Sequence, residues 1–174
     1  ILAKDTYTIA TERKDSYRLQ AEALAQLCGT LGKGQKILIL NNPCNPTGAV
    51  YPDQELQALA KVCREEEVIV ISDEIYSLID FRKEKFSSIG RYLPESTVVT
   101  GGMSKAFSAG GWRLGLAFVP DAMSDMIKPW NALISETFSC VNAPVQYAAL
   151  EAFSQFEALR PQIQRFTEIH SVAG

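Results

Sequence analysis

Four short apolar runs constrain this chain more than any other feature. Residues 36–40 (KILIL), 68–71 (VIVI), 97–100 (TVVT) and 114–119 (LGLAFV) are β-branched or apolar without alternation. A strand with one face in water alternates polar and apolar side chains. Unbroken apolar runs of this length suit strands buried on both faces, as in a parallel sheet covered by helices. Between the first two, Leu56, Leu59, Ala60 and Cys63 fall at the i, i+3, i+4, i+7 spacing of one buried helix face. Pro52 suits the first turn of that helix, and Asp53 and Glu55 complement its dipole. An earlier helix over 20–28 is expected to stop at Gly29. Strand, helix and strand at roughly 30-residue spacing form a βαβ unit. The link from Thr100 to Leu114 is too short for a helical crossover, so the fourth strand is expected to run antiparallel at the sheet's edge. Helices are expected near 121–133, 144–153 and 156–170. The fold class is α/β, a mostly parallel sheet flanked by helices with one antiparallel strand.

Several function classes fall away on composition. The net charge is -3, so no excess of positive charge invites nucleic acid or an anionic membrane. The apolar runs are far too short to span a bilayer. Residues 1–7 lack the basic start and apolar core of a signal peptide. Cys28, Cys44, Cys63 and Cys140 are too widely spaced for a zinc site or a Cys-x-x-Cys pair. They read as reduced, mostly buried residues of a cytoplasmic protein. The single histidine, His170, leaves no set of histidines for a triad or a metal site. With no initiator Met, and Gly174 following a helical pattern, the chain is expected to be part of a longer protein.

In open parallel sheets, ligands bind beyond the carboxyl ends of the strands. Three distinctive segments lie there: Asn42-Pro43-Cys44-Asn45-Pro46-Thr47-Gly48, Ser72-Asp73-Glu74-Ile75-Tyr76, and Gly101-Gly102-Met103-Ser104-Lys105. Each has an ordinary explanation. The first is rich in turn formers, Asp73 could simply cap the next segment, and most lysines are solvated surface residues. The third is not a phosphate-binding P-loop, which needs Gly-x-x-x-x-Gly-Lys-Ser/Thr. Their convergence on one crevice is the stronger signal.

Together, in order and spacing, these segments and the stretch 104–115 (SKAFSAGGWRLG) resemble the class I/II aminotransferases of pyridoxal-phosphate fold type I, over nearly all of residues 16–153. The resemblance implies pyridoxal 5'-phosphate as cofactor, amino acid and 2-oxo acid substrates, and a homodimer. It makes Lys105 the lysine that bonds the cofactor and later moves the substrate's α-proton. It sets Asp73 beside the pyridine nitrogen, and Tyr76 and Asn45 at the ring's O3', with Asn45 also holding the substrate carboxylate. Arg113 becomes the phosphate clamp, a bidentate task suited to a guanidinium. Where many relatives carry a phosphate-binding serine three residues before the lysine, this chain has Gly102, and Ser104 or Thr100 could substitute. Trp112 and Trp130 are read as packing residues. Residues 1–153 would be part of the large cofactor-binding domain, and 154–174 a helical segment leading toward a small domain. The glycine-rich phosphate loop, the ring-stacking aromatic and the substrate-carboxylate arginine of the family find no match here. The piece is therefore expected to be inactive alone. The same signatures serve pyridoxal-phosphate lyases, and a non-catalytic truncated domain is the third reading.

Overall fold

The computed structural model describes residues 5–82 and 85–173. Four strands, β1 (Lys36–Asn41), β2 (Val68–Asp73), β3 (Thr97–Gly102) and β4 (Gly115–Phe118), form one sheet in sequence order. The first three run parallel and β4 is antiparallel to β3, as the short link before it requires. Each of the first three strands extends one or two residues past its apolar run, so the ladder reaches into the motifs that follow.

Helices α1 (Ala21–Thr30) and α2 (Asp53–Glu65) pack on one face of the sheet. Leu56, Leu59, Ala60 and Cys63 of α2 are buried against Leu40, Val68 and Val70. Complete burial of each such leucine stabilises the fold by about 1.5–3 kcal/mol. Arg18 adds a bidentate, partly buried pair with Glu55 at 2.7 and 2.9 Å, tying the segment before α1 to α2. A second, smaller cluster joins Met103, Ala109 and Leu114 to Ala149. Ala149 lies on α4 (Ala143–Ser154), which follows α3 (Ile127–Thr137) and precedes α5 (Phe156–Ala173) in the chain. Among the described residues no helix is long and apolar enough to cross a membrane.

Three expectations need correction. Gly29 does not end α1, which continues through Thr30; Gly29 is not left-handed, and Thr30 Oγ1 bonds back to the Leu27 carbonyl at 2.7 Å. Only one face of the sheet is covered along β1, where Ile37 is 57% and Ile39 73% exposed. The two helices that cover it lie on the opposite face, with Leu40, Val68 and Val70. The cysteines are all free, but only Cys28 and Cys63 are buried; Cys140 is exposed. Ile1 to Lys4, Lys83, Glu84 and Gly174, which fall in the expected domain spans, lie outside the described residues.

The asymmetry of the sheet has a measurable consequence. In urea unfolding of the 174-residue chain, Leu59→Ala should cost about 2–5 kcal/mol. Ile39→Ala, on the open face, should cost less than about 1 kcal/mol. Equal losses would mean that both faces are packed.

Candidate active site

The pairing register builds the floor of a crevice at the carboxyl end of the sheet. Asn41 pairs with Asp73, and Asp73 with Thr100. Because side chains alternate along a strand, paired residues share a face. The three polar side chains therefore stand in a row on the face that α1 and α2 leave open. Thr100 Oγ1 lies 3.5 Å from Asp73 Oδ1, so this hydroxyl faces the carboxylate.

Asp73 divides its carboxylate. Oδ1 accepts the Ile75 amide at 3.3 Å and so caps the turn that follows β2. Among the described residues Oδ2 has no bonding partner, which leaves an oxygen for a ligand. The capping reading is met by Oδ1, and Oδ2 stays available to the functional one. The Asp73 carbonyl accepts the Asn42 amide at 3.0 Å and Asn41 Nδ2 at 3.1 Å, which anchors it to the end of β1.

The first motif wraps around the same anchor. Asn45 N donates to Asn41 Oδ1 at 2.8 Å, and Asn45 Nδ2 donates to the Tyr76 hydroxyl at 3.2 Å. The Asn42–Pro43 and Asn45–Pro46 bonds are cis. Lys105, exposed, holds its Nζ 5.4 Å from the centre of the Tyr76 ring. Asn45, Tyr76 and Lys105 therefore form one contact set from three loops, with Asp73 joined to it through Asn41.

Arg113 and Ser104 stand apart from that set. Arg113 takes a left-handed backbone conformation at φ 57° and donates Nη1 to the Gly110 carbonyl at 2.6 Å. Ser104 is partly buried, and its hydroxyl makes no hydrogen bond among the described residues. Trp112, expected to pack, is 49% exposed. Gly102 explains its own departure from the usual serine. A Cβ built there would lie 2.7 Å from the Leu114 carbonyl oxygen, across the β3–β4 pair.

Three supports escaped the sequence reading. Asn41 is the joint between the two loops. Asn42, fully buried, accepts the Tyr51 amide and donates to the Ser87 carbonyl. Glu74, 8% exposed, accepts hydroxyls from Ser72 and Ser88, while burial pushes its pKa above the ordinary value. The Asn-Asn doublet ending an apolar strand was a usable signal, because polar side chains there must find partners. Glu74 also borders a cleft of about 820 Å³ beside Lys85, Arg91 and Arg160 that none of the expected site residues lines.

The family profile described as aminotransferase class I and II matches residues 3–170. An aspartate/prephenate aminotransferase of Thermus thermophilus is 38% identical over 135 residues, covering 78% of this chain and 34% of the relative. An aspartate aminotransferase of Bacillus subtilis is 36% identical, over 74% of this chain and 33% of that protein. The solved aspartate aminotransferase from Thermus thermophilus with maleate superposes with a TM-score of 0.82 at 34% identity, covering 92% of this chain and 40% of that one. An aromatic aminotransferase from Pyrococcus horikoshii gives a TM-score of 0.78 at 29% identity, over 94% and 44%. The chain spans about a third of the length of the curated relatives it matches.

The raised pKa of Glu74 sets a pH dependence. The native protein holds that proton over a window in which the unfolded chain has released it. Its stabilising contribution is full below the unfolded value and is lost as pH rises through the folded one. Glu74→Gln keeps the acceptor oxygen and cannot ionise, so its stability relative to the parent should rise as pH climbs through and above the ordinary glutamate range. Urea midpoints across that range measure the difference; parallel curves would contradict it.

Proposed function

Because the chain belongs to the class I and II aminotransferases, we propose that its full-length protein is a pyridoxal 5'-phosphate-dependent aminotransferase. It would move an amino group from an amino acid to a 2-oxo acid. The supporting observation is the contact set of Lys105, Tyr76 and Asn45, to which Asn41 joins Asp73. The donor chemistry fits the cofactor's ring end: among the described residues, an amine without an ion pair, a carboxylate with a free oxygen, and a hydroxyl already paired with an amide.

When bound, the cofactor supplies an electron sink for a carbanion at the substrate's α-carbon. Lys105 would bond the cofactor through its amine and, when free, could take the α-proton and return it. Asp73 would favour a proton on the ring nitrogen through its charge. Tyr76 and Asn45 would hold the ring's O3', and Asn45 also the substrate carboxylate. Arg113 would hold the phosphate, a task suited to a guanidinium, and Ser104 would add a hydroxyl. In this reading, residues 1–153 belong to the large domain, and 154–174 lead toward a smaller one. The full-length protein works as a cytoplasmic homodimer.

Two experiments on the full-length protein test the assignment. Borohydride reduction of the pyridoxal-phosphate-loaded enzyme should leave a pyridoxyl adduct on Lys105, and Lys105→Ala should abolish it. Peptide mapping to Lys36 or Lys128 would refute the role. Asp73→Asn keeps size and the turn cap but removes the charge. It should slow transamination by about 100-fold or more while the melting temperature stays close to the parent's. Near-normal turnover would reduce Asp73 to a cap.

A further inference from the structure

Glu74 lies between Asp73 and the Ile75–Tyr76 pair, yet no step of the proposed reaction uses it. Burying a carboxyl costs several kcal/mol unless hydrogen bonds offset it, so an apolar residue would fill this space more cheaply. Here two hydroxyls converge on one oxygen. Ser72 Oγ donates to Glu74 Oε1 at 2.8 Å, and Ser88 Oγ donates to the same atom at 2.5 Å. Ser88 Oγ also accepts the Gly90 amide at 3.0 Å, which leaves its own proton for Glu74.

The backbone of Glu74 is held as firmly. Its amide donates to the Thr100 carbonyl at the end of β3, and its carbonyl accepts the Ser77 amide, both at 2.9 Å. The neighbouring Ser87 carbonyl receives Asn42 Nδ2 at 3.3 Å. The loop over residues 87–90 is thus bonded to β1 through Asn42 and to β2 through Glu74. The turn fixed between these bonds presents Asp73 at its start and Tyr76 near its end. The charged groups around it are Asp73 on its own strand and, across the cleft, Asp53, Lys85, Arg91 and Arg160.

We propose that Glu74 is a positioning residue for the cofactor site. By locking the 87–90 loop to the end of β2, it sets where Asp73 and Tyr76 meet the ring. The proposal rests on the pyridoxal-phosphate reading of the crevice. The lock works through the acceptor oxygen rather than the charge, since both donors are neutral hydroxyls. A displacement of about 1 Å at a reacting group is enough to cost on the order of 100-fold in rate.

The test uses the full-length protein with Glu74→Ala, Ser88→Ala and Glu74→Gln. Hydrogen exchange is read on cofactor-free protein over residues 74–79. The pH midpoint of the visible cofactor band and the kinetic constants are read on loaded protein. Glu74→Ala should speed exchange in that turn and move the midpoint by about half a unit or more, because the Asp73 charge no longer faces the ring nitrogen as before. It should lower kcat roughly 10-fold or more with little change in KM. Ser88→Ala should move all three the same way by less, and it carries the test if Glu74→Ala does not fold. Glu74→Gln should restore all three. A lower melting temperature in Glu74→Ala with midpoint and kcat unchanged would overturn the proposal, as would Glu74→Gln behaving like Glu74→Ala. Absence of the pyridoxyl adduct on Lys105 in the parent protein would instead remove the cofactor reading. The exchange data on cofactor-free protein would then still report whether Glu74 holds the turn.

Discussion

The parallel register of β1, β2 and β3 is the constraint on which the crevice depends. It sets Asn41, Asp73 and Thr100 side by side on one face. The covered face favours that register, because Leu40, Val68 and Val70 meet the buried stripe of α2 there. The Asn41 and Asn42 bonds to the Asp73 carbonyl hold it at the strand ends. A slip of one residue in β1 would turn Leu40 toward water and Asn41 into the core. The hydrophobic effect, which has no direction of its own, therefore aims a carboxylate.

Polar interactions take over where the apolar ladder ends. Asn41, Asn42 and Glu74 bring together loops that are far apart in sequence. A buried donor or acceptor left without a partner costs about 1–3 kcal/mol, so each of these bonds penalises any other arrangement of the loops. They also share members: the Asp73 carbonyl takes two donors, and the Ser87–Ser88 pair serves both Asn42 and Glu74. Such sharing makes the supports cooperative, since losing one disturbs the geometry of the next.

The strands and the reversed edge strand were legible in the sequence, because run length and link length leave few alternatives. The loop residues that meet at Tyr76 were legible as motifs but not as contacts. Spacing says that Asn45 follows a strand; only the register says that it reaches a tyrosine 31 residues away. The end of α1 was misread because a glycine near a helix end is a permissive signal: Gly29 can stop a helix or sit inside one. The open sheet face was misread because an apolar run reports what a strand prefers to touch, not whether this chain supplies it. Glu74 was hidden by charge, since a glutamate is ordinarily read as solvated. Its two serine partners lie two and fourteen residues away, with no period to flag them.

The site divides its labour between buried supports and exposed contact groups. Asn42, Glu74 and Ser72 are buried, while Asn45, Lys105 and Arg113 are exposed. That division suits the proposed reaction, in which the lysine would hold two places in turn, first bonding a partner and then moving a proton. A lysine packed into the core would keep its position and lose the second task. A lysine on an unsupported loop would have the freedom and lose the aim, at the entropic cost of ordering its loop at each turnover. Anchoring the backbone beneath while leaving the side-chain tips free answers both demands. The Asn45–Tyr76 bond extends the principle one step outward. Two exposed polar groups hold each other at 3.2 Å, so that neither must be ordered separately when a ligand arrives.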